Sequence, residues 1–312
     1  MYCSRCGTAV PDNSRFCTSC GMAIGQKATP VRFGFERISV KWYFFAFVGA
    51  MVSSVLAAIF ADPLAALVAS IILIHGTLLA FSWWVTSQGG IDLKHLVGSI
   101  PENYNWLPPA VLVIGMILYS VSSSWITNYP IAISWPEVYQ ELTAQPVYLT
   151  DEGTENPAAY NFLTVILLVI IAPVVEEVFF RMVLFQRLSI RWGMGTGIAV
   201  SSFLFGLVHP FDWVGAFVFG VAACVLYMRT RTIIVPIAVH ALNNAIATVV
   251  AWWAIKQNWD AAFDLSAIQT ELYTAIILLV LSSPIVFGLL GRWWPNTGDE
   301  LPYFANGETR HR

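Results

Sequence analysis

Apolar residues run in long blocks along most of this chain, and the polar residues gather between them. Eight blocks approach the roughly 20 residues a helix needs to cross a bilayer: 42–61, 64–86, 106–126, 160–187, 193–209, 211–228, 232–253 and 273–293. The fourth is long enough to tilt or to extend past the hydrocarbon. The pattern predicts an all-α, polytopic membrane helix bundle of about eight transmembrane helices. The longest gap, 127–159, has room for a short amphipathic helix around Trp135–Leu142. The tail 294–312 is polar, with prolines and glycines, and is predicted to be disordered. No repeat of 20–50 residues and no low-complexity tract interrupts this order.

Composition agrees. Hydrophobic residues make up 57% and charged residues only 11% of the 312, against about 25% charged in a typical soluble domain. A net charge of −3 gives no reason to expect nucleic acid as a partner. No apolar stretch follows a basic one in the first forty residues, so no cleavable signal peptide is expected and the first span would drive insertion. The few charges set an orientation. Arg32, Arg37 and Lys41 precede the first span, Arg187 and Arg191 follow the fourth, Arg229 and Arg231 follow the sixth, and Arg292 ends the eighth. Residues 127–159 carry Glu137, Glu141, Asp151, Glu152 and Glu155 without a Lys or Arg, and 254–272 is likewise acidic apart from Lys256. The positive-inside rule then places both termini in the cytoplasm.

Four of the five cysteines sit in the first twenty residues, as Cys3-Ser-Arg-Cys6-Gly7 and Cys17-Thr-Ser-Cys20-Gly21. Each Cys-x-x-Cys turn presents two thiolates, and the two turns together supply a tetrahedral Zn²⁺ site, favoured over disulfides in a reducing compartment. Residues 1–24 are too short to fold without such a staple, so metal binding would supply their folding energy. They resemble the small zinc-ribbon modules at the N-terminus of many prokaryotic membrane proteins, a resemblance that implies a structural role or docking of a cytoplasmic partner. A linker, 25–41, joins the ribbon to the membrane domain, 42–293. Cys224 stands alone in an apolar block and reads as core.

Ionisable side chains at bilayer depth cost about 2.5–3.5 kcal/mol each even on a lenient scale. Here they cluster in the C-terminal half, with only His75 comparable in the first three spans. Glu176 and Glu177 precede Arg181 in the fourth span, His209 and Pro210 end the fifth, and His240 and Asn244 lie in the seventh. Glu177 and Arg181 are four apart and can pair on one helix face, while Glu176 points about 100° away, free to face a cavity. His240 and Asn244 share a face by the same spacing. Pro210 discourages helix at His209 and puts that ring at a helix end, near Asp212.

Three motifs in this order, Glu176-Glu177-Val-Phe-Phe-Arg181, Phe205-Gly-Leu-Val-His209 and His240-Ala-Leu-Asn-Asn244, resemble the CPBP family of intramembrane proteases, also called the Abi or CAAX-protease family. The resemblance covers roughly residues 160–250. It implies an endopeptidase acting on a membrane-associated or lipidated protein or peptide. It implies that Glu176 and His209 activate water, that His240 and Asn244 stabilise the oxyanion, and that Arg181 orients the acidic pair through Glu177. A metal variant, with Glu176, His209 and His240 holding a catalytic divalent ion, stays open at this level. So do two other classes: a proton-linked transporter using the buried acids and histidines, and an inactive scaffold or immunity protein.

Depth opposes the simple picture. An upright helix running on from Arg191 would carry His209 about 27 Å, near the far surface, whereas Glu176 and His240 count to the midplane. A single site therefore requires a tilted or broken fifth span.

Overall fold

The computed structural model describes residues 8–11, 14, 19, 34–35, 38–60, 62–143, 154–256, 265–296 and 298–308. Cys3, Cys6, Cys17 and Cys20, and with them the expected zinc site, lie outside the described residues. The described residues are predominantly helical. In chain order the helices are α1 (Val40–Phe60), α2 (Pro63–Gly89), α3 (Leu93–Val97), α4 (Leu107–Ser134) and α5 (Pro136–Thr143). They continue with α6 (Pro157–Trp192), α7 (Met194–Leu207), α8 (Trp213–Thr230), α9 (Ile234–Lys256), α10 (Leu265–Trp293) and α11 (Pro302–Glu308).

Six of these, α2, α4, α6, α8 with the turn before it, α9 and α10, are long and apolar enough to cross a membrane. The 21 residues of α1 and the 14 of α7 occupy the other two predicted blocks. At 1.5 Å per residue α7 is about 21 Å long, short of the roughly 30 Å hydrocarbon core.

Local chemistry sets the boundaries. Asp62 caps α2 through the Leu64 N–H with Pro63 at the first position, and Asn156 caps α6 through the Ala159 N–H ahead of Pro157. Gly193, at φ +87°, breaks α6 from α7. Helix α7 then folds back so closely on α6 that a Cβ at Gly197 would lie 2.0 Å from Ser189 Oγ.

Helix α8 is the centre of the bundle. Two-thirds of its most apolar window is enclosed by protein, against 6% for α2, and it packs on α4, α6, α7 and α9. Cys224 on α8 is fully buried, 3.6 Å from Ser201 Oγ, as a core residue should be. The outer faces of the bundle carry exposed apolar side chains such as Ile72, Leu79, Ile114, Phe162 and Val280, which suit contact with lipid.

The amphipathic helix expected in the 127–159 gap is present as α5. The expectation of a disordered tail fails. The tail is ordered through Glu308: Leu301, Tyr303 and Ala305 are buried, and Tyr303 meets Phe35 edge-on at 5.3 Å. Its few apolar groups suffice because polar contacts join them. The Tyr303 N–H donates to Gln186 Oε1 (3.1 Å), and Asn306 Nδ2 donates to the carbonyls of His95 and Arg231 (both 2.8 Å). Trp293, at the end of α10, is also buried, with Arg229 over its ring.

Candidate active site

The site begins with a defect in α6. Residues Leu167–Ile171 form a π-helical turn in which the Ala172 N–H bonds back to the Leu167 carbonyl. In that register the Leu168 carbonyl should receive the N–H of residue 173, which is proline and has none. Asn244 fills the gap, its Nδ2 donating to the Leu168 carbonyl at 2.9 Å. A carbonyl partner fixes the amide orientation, so Asn244 Oδ1 is the acceptor for Asn243 Nδ2 (3.2 Å), and the second N–H of Asn244 remains for another partner.

One α-turn further, the two glutamates diverge. Glu177 is fully buried, and its Oε1 lies 3.0 Å from Arg181 Nη1 and accepts from His240 Nδ1 at 2.9 Å. Arg181, 1% exposed, is also stacked over Phe205, 4.1 Å from the ring centroid. Glu176 instead lines a cavity, and its Oε2 is buried without a hydrogen bond, 3.8 Å from His240 Nε2. That separation exceeds a direct hydrogen bond and suits groups that share a water.

His209 reaches the same cavity by folding back. Helix α7 ends at Leu207, and His209 leaves the helical conformation (φ −120°, ψ 65°) before the 3₁₀ turn Pro210–Asp212. Its ring stacks on Phe205, 4.6 Å between centroids, and Nδ1–H donates to the Phe205 carbonyl at 2.8 Å. Phe205 lies 5.9 Å from the His240 ring. The imidazole is thus returned toward the depth of His240, which removes the difficulty raised by counting residues. Because the carbonyl holds the Nδ1 proton, the neutral ring presents its lone pair at Nε2.

The cavity has a volume of about 290 Å³, and Glu176, His209, His240 and Asn244 all line it. Glu177 and Arg181 sit behind its wall. Met116, Ser120, Asp212 and Thr248 are also among the lining residues, and the sequence motifs do not include them. Ser120 donates a short hydrogen bond to Asp212 Oδ2. Serines inside an apolar span were the available signal. Neither His75, in the π-helical turn Ile71–Gly76, nor His95, 3.7 Å from Asp92, lines the cavity.

Residues 158–246 match the family model described as type II CAAX prenyl endopeptidase Rce1-like. The matched segment contains all six residues singled out by the three motifs. Residues 2–24 match the zinc-ribbon domain. No curated protein and no solved structure matches the chain. Together with the apolar helices, the Rce1-like segment marks an integral membrane protein of a protease type.

A catalytic metal finds no assembled ligand set here. Among the described residues no group of three His, Cys, Asp or Glu side chains is placed to hold an ion. His240 Nδ1 contacts Glu177 and His209 Nδ1 contacts a carbonyl, which leaves Nε2 of each ring as the atom available to water or an ion.

Proposed function

We propose that this protein is an intramembrane endopeptidase that cuts a membrane-associated or lipidated protein or peptide with a water activated by Glu176 and His209. The observation that carries the reading is the convergence on one cavity of Glu176, His209, His240 and Asn244, which lie on three separate stretches of the Rce1-like segment.

In this reading Glu176 and the Nε2 lone pair of His209 hold the water, and one of them accepts its proton as the oxygen attacks the scissile carbonyl. The free N–H of Asn244 donates to the oxyanion. His240 joins it when Nε2 carries a proton, a charge that Glu177 stabilises from the other side of the ring. Arg181 holds Glu177 in place and anchors Phe205, on which His209 is stacked. The proton taken from water then passes to the leaving amine, and the peptide bond breaks into an acid and a free amino terminus.

The ribbon, 1–24, is read as holding a structural Zn²⁺ through Cys3, Cys6, Cys17 and Cys20, a thiolate set suited to tetrahedral coordination. The linker 25–41, the protease domain 42–293 and a cytoplasmic placement of both termini complete the proposal, on the distribution of Lys and Arg.

The test compares membranes holding the wild type with membranes holding Glu176→Ala, by searching for new peptide termini. Cleavages that vanish in the variant support the assignment, and identical cleavage in both would sink it.

A further inference from the structure

Helix α4 lies outside the matched segment, yet it grips the turn that carries His209. Ser120, Ser124 and Asn128 recur every fourth residue and so form one polar stripe along the helix, whereas Ser122, Ser123 and Thr127 bond back to carbonyls of α4 itself. Ser124 Oγ donates to the Phe211 carbonyl at 2.6 Å, and Asn128 Nδ2 donates to the same oxygen at 2.9 Å. Asn128 Nδ2 also reaches Ser124 Oγ at 3.2 Å. Ser120 Oγ donates to Asp212 Oδ2. The turn itself has little else: His209 N–H to the Gly206 carbonyl (2.9 Å) and Asp212 N–H to the His209 carbonyl (3.0 Å). Space for the Ser120–Asp212 contact is kept by Gly215, where a Cβ would lie 2.3 Å from Asp212 Oδ1 and 2.7 Å from Ser120 Oγ.

We propose that Ser120, Ser124, Asn128 and Asp212 are positioning residues for His209: they pin residues 211–212 so that the imidazole folds back over Phe205 into the cavity. The proposal rests on the protease reading above, and none of the four needs to touch substrate. It differs from simple glue between helices, which would stabilise the whole bundle evenly. The Nδ1 bond to the Phe205 carbonyl sets the ring, but the chain beyond Leu207 has no regular hydrogen-bond ladder, so the turn after His209 is held from α4.

The experiment uses the full-length protein in lipid nanodiscs, with the double variant Ser124→Ala/Asn128→Ala. Hydrogen exchange should rise roughly tenfold or more across residues 205–213 while residues 177–192 and 234–253 keep their protection. For a cleavage that depends on Glu176, kcat should fall up to roughly 10²-fold, the size expected from a misplaced catalytic group, with KM unchanged. Ser124→Thr, which keeps the hydroxyl, should restore kcat. Wild-type exchange and kcat in the double variant overturn the proposal, as does loss of protection spread evenly over the bundle. If the double variant does not fold, Asp212→Asn and Asp212→Ala decide. The amide still accepts from Ser120 and should keep kcat, the alanine should not, and an equal loss in both overturns the proposal. Absence of any Glu176-dependent cleavage defeats the protease reading instead, and the exchange measurement still tests the positioning.

Discussion

Asn244 is expected to serve two purposes that one pair of variants can separate. Asn244→Ala removes the donor to the Leu168 carbonyl, which has no backbone N–H available because residue 173 is proline. An unsatisfied buried carbonyl costs about 1–3 kcal/mol. Leu168 lines the cavity, where water can partly replace the amide, so the lower end, about 1 kcal/mol, is expected. For a chain of this size that corresponds to a fall in Tm of roughly 2–4 °C. The same variant removes an oxyanion donor, which should lower kcat by about 10²–10³-fold. Adding Pro173→Ala supplies an N–H at the position the π-helical register requires. The double variant Pro173→Ala/Asn244→Ala should therefore recover most of the lost Tm and none of the lost kcat. Thermal unfolding in detergent and steady-state kinetics on a Glu176-dependent cleavage read the two effects. Unaltered stability in Asn244→Ala, or no recovery with Pro173→Ala, would refute the account of the helix defect. Recovery of kcat would refute the oxyanion role.

Glu176→Gln keeps the shape of the cavity and should lower kcat by about 10²–10⁴-fold with little change in Tm, since Glu176 Oε2 makes no hydrogen bond to lose. Arg181→Ala should destabilise the protein by about 3–5 kcal/mol, because it strands the buried Glu177 carboxylate. Adding Glu177→Gln removes that charge, so the double variant should be more stable in a denaturation cycle than the two single losses added together. Chelation should strip zinc from the full-length protein, Cys3→Ser should weaken its retention, and deletion of residues 1–24 should remove the metal signal. The deleted protein should keep Glu176-dependent cleavage in the presence of chelator, measured as turnover beside metal content, because among the described residues no set of three ligating side chains is gathered at the cavity.

The sequence by itself determined the class of the protein and most of its span boundaries. Blocks of about 20 apolar residues admit only helices in lipid, because every backbone N–H and C=O must be satisfied within the segment. It also determined local pairs: the four-residue spacing of Glu177 and Arg181 fixed their ion pair, and Pro210 fixed the helix end at His209. Contacts made across helices were not legible. The fold-back of His209 depends on the Phe205 ring, the Leu168 carbonyl finds Asn244 76 residues away, and Ser124 reaches Phe211 across 87. The ordered tail likewise depends on Gln186 and Phe35, far upstream. Periodicity reports which face of a helix is polar, but which polar group on another helix answers it is set by packing. That is why Glu176, His209, His240 and Asn244 could be picked out along the chain, whereas their meeting at one cavity was decided only by the tertiary structure.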